Sequence, residues 1–310
     1  MLKAPITVFG GTGFLGRHVV QELFDAGHAV RIAARRPTLP EWAEPGDPLE
    51  PMSVDIRSEA DVSGALEGAY GAVNAVSLYV ERRGVSFEQV HVEGAARLAR
   101  LALAHGVSTL VQLSGIGADR ASRSRSRSRY VSARGHGESA VIDVYPKAVI
   151  LRPSVMFGPQ DAFLNRLADL TRLPLVPLFG RGETRLQPVH VGDVARAVVR
   201  LMGEPSTERR LFELGGLDIL SYREVVESVM VHLGHERPLL PIPFPLWHLA
   251  ALLASPLPGP PLTRDQVIMM RADNTVGEGV GTFDDLDILP RSLRDSLPAC
   301  LPTQASSSSE

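Results

Sequence analysis

Cysteine occurs once in this chain, at Cys300. A lone thiol builds neither a disulfide framework nor a cysteine-based zinc site, and it points to a reducing compartment. Lysine is nearly as scarce: Lys3 and Lys147 are the only two, so arginine carries almost all the positive charge. The formal net charge is only −3, so no global field draws the protein to nucleic acid, and no nucleic-acid partner is expected. Long apolar runs are missing too. The most apolar late stretch, PIPFPLWHLAALLASPLPGPPL (241–262), is interrupted by His248 and ringed by prolines. Its helical part falls short of the ~20 residues that cross a bilayer. It reads as a buried hairpin-like helix, with docking of an apolar surface on a membrane or larger partner as the alternative. MLKAPITVFGGTG at the start runs straight into a strand, without the apolar core and cleavage site of a signal peptide, and the cytoplasm is the expected location.

What is present is an ordinary globular balance. Hydrophobic residues make up 44% and charged residues 22%, enough to bury a sizeable core in one large domain or two. ITVFG (6–10), AVRIAA (29–34), AVNAVS (72–77) and TLVQLSG (109–115) are near-continuous apolar runs, the pattern of strands buried on both faces of a parallel sheet. Between them, 14–27 and 87–106 carry apolar residues at helical spacing and end at glycines. Such alternation predicts a Rossmann-type α/β fold, a doubly wound parallel sheet with a smaller C-terminal α/β substrate lobe. KAVILRPSVMFG (147–158) continues the sheet, and VHVGDVARAVVRLMG (189–203) returns to it. The expected NAD(P)-binding domain is therefore 1–158 with 185–216 returning, the smaller lobe 159–302, and 303–310 a disordered serine-rich tail.

The strongest local signal is ITVFGGTGFLGRHVV. Gly10, Gly11, Thr12, Gly13, Phe14, Leu15 and Gly16 form the turn between a strand and a helix. Glycines there permit a tight turn and close approach of a pyrophosphate, and the helix N-terminus offers N–H groups to it. Strand two ends in AVRIAARRP, with Arg35 and Arg36 where an NAD site would place an acid. A guanidinium fork suits a 2′-phosphate, so NADP(H) is expected over NAD(H). Asp55 is placed to bond the adenine edge or to cap the helix starting at Ser58.

DRASRSRSRSRYVSAR (119–134) alternates serine and arginine, as an RNA-binding tail would. Here the run leads into a helix, at the rim of the expected cleft, and reads as a solvated loop able to meet an anionic partner or lipid headgroup. Tyr130 and Arg134 lie at i and i+4 on one face of that helix. A cation there can lower the phenol pKa and bond the cofactor ribose, the arrangement of a proton-donating tyrosine. No metal site is expected. His232 and His235 have a ligand-like spacing but no third partner, His190 reads as structural, Asp193 as a helix cap, and His91 is left without a role.

The glycine motif, LSGIGAD, the YxxxR pair, LRPSVMFGPQDAFLNR and QPVHVGDVARAV together resemble the extended and atypical short-chain dehydrogenase/reductases. Over about residues 4–300 the chain resembles the alpha subcomplex subunit 9 family of respiratory complex I (NADH-ubiquinone oxidoreductase) and its bacterial NAD-dependent epimerase/dehydratase-like relatives. That resemblance implies pyrophosphate contact by Gly10, Gly13 and Gly16, 2′-phosphate contact by Arg35, the catalytic-tyrosine position for Tyr130 and the lysine position for Arg134. The usual catalytic serine or threonine position holds Ile116, with Ser114 two residues earlier as the candidate hydroxyl. Arginine for lysine and isoleucine for serine both argue against hydride chemistry. The implied function is a structural or regulatory NADP(H) site linked to complex I or a quinone-biosynthesis assembly. The implied position is peripheral, on the cytoplasmic face of the inner membrane or the matrix side in a mitochondrion. An active oxidoreductase or epimerase acting on a carbonyl or sugar-like substrate is the alternative.

Overall fold

Apolar runs buried on both faces form the central strands of the sheet. β1 (Ile6–Phe9), α1 (Phe14–Asp25), β2 (Val30–Ala34), β3 (Leu49–Ser53), α2 (Glu59–Leu66), β4 (Gly71–Asn74), α3 (Gly94–Ala104), β5 (Thr109–Leu113), α4 (Arg129–Val144) and β6 (Val149–Pro153) follow in order. The second half contributes β7 (Met156–Phe157), α5 (Ala162–Thr171), β8 (Val176–Phe179), β9 (Arg185–Leu186), β10 (Val189–His190), α6 (Val191–Met202) and β11 (Leu211–Leu214). It closes with β12 (Leu220–Ser221), α7 (Tyr222–Leu233), β13 (Leu239–Ile242), α8 (Phe244–Ala254), α9 (Arg264–Met269) and α10 (Leu293–Cys300). The structure, a computed structural model, describes residues 4–82, 84–118, 128–203, 208–255, 257 and 262–302. The serine-arginine run through Arg127 and the serine tail from 303 lie outside these residues.

Seven parallel strands form the main sheet in the order β11-β6-β5-β4-β1-β2-β3. The chain winds outward from β1 through β2 to β3, then returns to β4 on the other side and winds away. That reversal opens a crevice at the C-terminal ends of β1 and β4, where α/β sheets bind ligands. One face of the sheet packs on α1 and α6 through residues such as Val19, Leu23, Val194 and Val198. The opposite face packs on α2, α3 and α4 through Leu66, Leu98 and Val141. A third apolar cluster gathers α5, β8, α7 and α10 around Phe157, Leu164, Val229 and Leu297. Helix α7 starts at a capping box, with Ser221 accepting from the Glu224 N–H and Glu224 accepting from that of Ser221.

Several expectations are corrected by non-local contacts. The helix read over 87–106 opens as a π-helical turn, Glu88–Glu93, before regular α3. Strand β6 does not run on to residue 158: Asn274 Oδ1 accepts from Ser154 Oγ at 2.7 Å and from the Val155 N–H at 2.8 Å. The chain is thereby diverted, and β7 pairs with β10 outside the main sheet. Asp193 does not cap α6; His190 does, its Nδ1 accepting from the Gly192 N–H. The Asp193 carboxylate is fully buried, accepts from the Arg291 N–H at 2.7 Å and pairs with Arg196 and Arg291. Ser58, not Asp55, caps α2. The apolar stretch 241–262 is not a buried hairpin. Trp247 of α8 donates to the Leu178 carbonyl and packs on Phe179, and Ala251 is the one residue of the helix that is buried. Leu246, Leu249, Leu252 and Leu253 stay more than half exposed, at 55%, 51%, 55% and 71%.

Two stability predictions follow from this packing. A Cβ on Gly137 in α4 would collide with the His91 carbonyl of the π-helical turn. Gly137→Ala should therefore cost about 1–3 kcal/mol, read as a lower urea midpoint. His18 of α1 is held near pKa 4, by burial first and then by the charges of Arg17, His190 and Arg291. The unfolded chain takes up this proton from about pH 6.5, where a free histidine titrates, and the folded protein only near 4. The folded-state pKa is depressed, so this contribution is complete above pH 6.5 and is lost as pH falls toward 4. Urea midpoints should drop from pH 7 to pH 5, and His18→Gln should flatten that slope; an unchanged slope rejects the assignment.

Candidate cofactor site

A cleft of about 640 Å³ lies at the C-terminal ends of β1, β2 and β4, a size suited to a small-molecule ligand. Its floor is the glycine turn. Gly10 has φ of +79°, and a Cβ there would press on the backbone of Ala75 and Val76. A Cβ on Gly16 would run into the Gly10 carbonyl, so α1 can lie directly against the turn only without one. Gly13 is the N-cap of α1, no side chain caps that terminus, and the first turn carries no acid. The leading N–H groups of α1 thus face the cleft as an anion site. Gly10, Thr12, Gly13, Phe14 and Leu15 line it, while Gly11 and Gly16 sit behind as packing positions.

At the β2 end, Arg35 and Arg36 line the cleft. Asp55 lines it too, yet its carboxylate is occupied. Arg57 donates to it from Nη2 at 2.6 Å and from Nε at 3.0 Å, and the Asp55 pKa lies below the usual carboxylate value chiefly because of those hydrogen bonds. Arg57 also donates to the Gly84 carbonyl at 3.2 Å. The 77–87 loop therefore starts at the end of β4 and reaches the turn after β3, arching over β1 and β2. Ser77, Leu78, Tyr79, Arg82 and Val85 line the cleft from this roof. These residues, with Arg57, were not singled out in the sequence, because nothing local marks a loop that is pinned by residues distant in the chain.

The opposite end holds the candidate catalytic groups. Arg134 lines the cleft and is nine-tenths buried. Its Nη2 donates to Ser77 Oγ at 2.9 Å and its Nη1 to the Leu113 carbonyl at 3.3 Å, while its Nε has no partner. Ser114 also lines the cleft, buried and with its Oγ unpartnered. Tyr130 stands differently. Its ring stacks on Tyr79 at 5.6 Å, meets Phe87 and His91 edge-on, and lies under the Arg134 guanidinium at 5.1 Å. It is not among the residues lining the cleft. Burial raises its pKa, against which Arg134 and hydrogen bonds with Ser77 and Arg134 act. His91, close beside it, is held neutral, its pKa lowered to about 4 by burial first and then by Arg134. Its Nε2 lies 3.0 Å from the Leu78 carbonyl, so it anchors the root of the roof.

The two histidines at ligand-like spacing have separate partners. His232 Nε2 lies 2.8 Å from the Leu301 carbonyl and His235 Nδ1 lies 2.8 Å from Thr171 Oγ1. Among the described residues no cluster of His, Cys, Asp or Glu could hold a metal ion.

This geometry suits a nicotinamide dinucleotide. Glycines leave room for a pyrophosphate against an uncapped helix start, arginines line the β2 end, and two buried polar atoms at the far end, Arg134 Nε and Ser114 Oγ, lack partners. Comparison with known proteins agrees. Residues 6–215 match the NAD dependent epimerase/dehydratase family. NADH dehydrogenase [ubiquinone] 1 alpha subcomplex subunit 9, mitochondrial, of Arabidopsis thaliana is 33% identical over 306 residues, covering 93% of this chain and 75% of that protein. A ceramide reductase of Caulobacter vibrioides is 29% identical, covering 78% and 75%. Among solved structures, that of gox2253 aligns with a TM-score of 0.74 at 20% identity, covering 99% of each chain. MoeE5 in complex with UDP-glucuronic acid and NAD aligns at 0.69 and 20%, covering 98% and 99%. At such identities the structures speak for the fold alone. The chain belongs to the NAD dependent epimerase/dehydratase family, as an NAD(P)-binding, atypical short-chain dehydrogenase/reductase related to the alpha subcomplex subunit 9 of complex I.

Proposed function

We propose that this protein holds NADP(H) as a structural or regulatory element rather than turning it over, in association with respiratory complex I or a quinone-linked assembly. The observation that carries this reading is Arg134 in the lysine position, its guanidinium tied to Ser77 Oγ and the Leu113 carbonyl and laid over the face of the Tyr130 ring. A proton donor must face the reacting carbon. Here the phenol is engaged by Ser77 and Arg134, desolvation raises its pKa, and Ile116 stands where a second hydroxyl would assist.

The binding residues remain complete. The N–H groups opening α1 hold the pyrophosphate, and Gly10, Gly13 and Gly16 give it room. Arg35 and Arg36 take the 2′-phosphate. Arg134, through Nε, and Ser114, through Oγ, satisfy their open valences on the nicotinamide half. When bound, the dinucleotide can supply hydride chemistry; what these side chains do is hold and orient it. Ligand that binds only the folded state adds its binding free energy to stability. The association with complex I rests on relatives that bear the name of its alpha subcomplex subunit 9.

An active reductase is the second reading, favoured by the free Ser114 hydroxyl in the cleft and by relatives named as ceramide reductase and 2-alkyl-3-oxoalkanoate reductase. One experiment separates the two. The purified protein is denatured, the released nucleotide is identified, and the exchange of bound cofactor with labelled NADPH is timed. NADP(H) exchanging over hours, equally slowly in Tyr130→Phe, is the expected result. Fast exchange, with a carbonyl-reducing activity that Tyr130→Phe abolishes, would replace this reading by the second.

Peripheral membrane contact belongs to the same proposal. No helix among the described residues is long and apolar enough to cross a membrane, but α8 presents Leu246, Leu249, Leu252 and Leu253 to solvent. Such a face lies in the headgroup region of a bilayer. The protein should float with anionic phospholipid vesicles, and Leu249→Glu with Leu253→Glu should leave it in the soluble fraction. Equal flotation of both proteins would remove α8 from the contact.

A further inference from the structure

Charge in the cleft is unbalanced beyond what Arg35 and Arg36 explain. Five arginines line it, at 35, 36, 57, 82 and 134, against a single carboxylate, Asp55, among the described residues. Two of the five are already committed. Arg57 neutralises Asp55 through paired hydrogen bonds, and Arg134 is bound to Ser77 and the Leu113 carbonyl. Arg35 acts electrostatically on Asp55, so the Asp55–Arg57 pair sits at the same end as the β2 arginines. Arg82 is different. Its backbone closes a tight turn with Val85, its N–H donating to the Val85 carbonyl at 3.1 Å and its carbonyl accepting from the Val85 N–H at 2.9 Å. Arg82 lines the cleft and has no carboxylate partner among the described residues.

The turn that carries Arg82 is itself held over the adenosine end. Arg57 donates to the Gly84 carbonyl at 3.2 Å, one residue from the turn's end. On its other side, Glu81 accepts from the Phe87 N–H at 2.9 Å and pairs with Arg129 at 2.9 Å. The turn that carries Arg82 is thus held on the roof, above a site whose floor already carries Arg35 and Arg36 and whose one acid is paired. A roof cation gains little from a neutral ribose hydroxyl, whereas it complements a dianionic group enclosed between roof and floor.

We infer that Arg82 is a specificity-determining residue, the roof half of a 2′-phosphate clamp whose floor is Arg35 and Arg36. This rests on the NADP(H) reading above and extends it from one strand end to a loop that sequence motifs for dinucleotide binding do not include. In this arrangement Asp55 is not an adenine ligand; paired with Arg57, it anchors the clamp. Selection between NADP(H) and NAD(H) is then made by enclosure from two sides.

The test is a competition that uses the protein as purified. Wild type, Arg82→Gln, Arg82→Lys and Arg35→Gln are each equilibrated with equal concentrations of NADPH and NADH, and the bound nucleotides are released and counted. Wild type should retain mainly NADPH. Arg82→Gln should lower the NADPH-to-NADH ratio roughly tenfold, the scale of one solvent-accessible charge-assisted bond, with the total nucleotide bound unchanged. Arg82→Lys should recover most of the preference, and added salt should narrow the gap between wild type and Arg82→Gln. If wild type prefers NADPH and Arg82→Gln prefers it equally, the clamp is overturned while the NADP(H) reading stands. If Arg82→Gln binds neither nucleotide, Arg82 anchors the dinucleotide generally and the specificity role is overturned. If wild type shows no preference, both the clamp and the NADP(H) reading fail together.

Discussion

Everything in this protein's cleft depends on how near α1 can come to the end of β1. The Gly10 carbonyl occupies the space where a side chain at position 16 would begin. Only because position 16 is glycine does the helix start directly behind the turn, with its unpaired N–H groups aimed over the strand ends. That contact sets the height of the floor, and through it the distance at which Arg35, Ser114 and the roof can act on one bound molecule. A methyl group there would either lift the helix or bend the turn, and the whole cleft would move with it.

The parts of the fold that could be read from the chain are those set by neighbours in sequence. Strand β1, the glycine turn and α1 form a local unit, and the helix ends at Gly27 and Gly106 fall where the chain marks them. Strand β3 escaped notice: LEPMS carries a proline and a glutamate, and it lies at the sheet edge where neither is penalised. The break after β6 could not be read because its cause, Asn274, is far along the chain. Composition misled at α8, since an apolar helix looks the same whether a partner is present within the chain or not. For the site, the motif gave the floor, but the roof and the stacking of Tyr130 on Tyr79 come from tertiary contacts that have no signature in sequence.

Arginine at position 134 is more than a substitute cation. A lysine presents one compact charge on a flexible stem, whereas a guanidinium is flat and donates in several directions. Here it joins Ser77 on the roof to the Leu113 carbonyl at the end of β5 while its face covers the Tyr130 ring. Roof, sheet and α4 are thereby locked by one side chain.

Asn274 joins parts of the chain that are far apart in sequence. Besides its bonds to Ser154 and Val155, its N–H donates to the Arg185 carbonyl, and its carbonyl accepts from the Gln187 N–H. Pro153 and Met156, on either side of the bonded pair, line the cleft. During synthesis the glycine turn emerges from the ribosome early, but the wall opposite it is not held in place until the chain has passed residue 274. The pocket stays half-built until Asn274 is available to hold that wall.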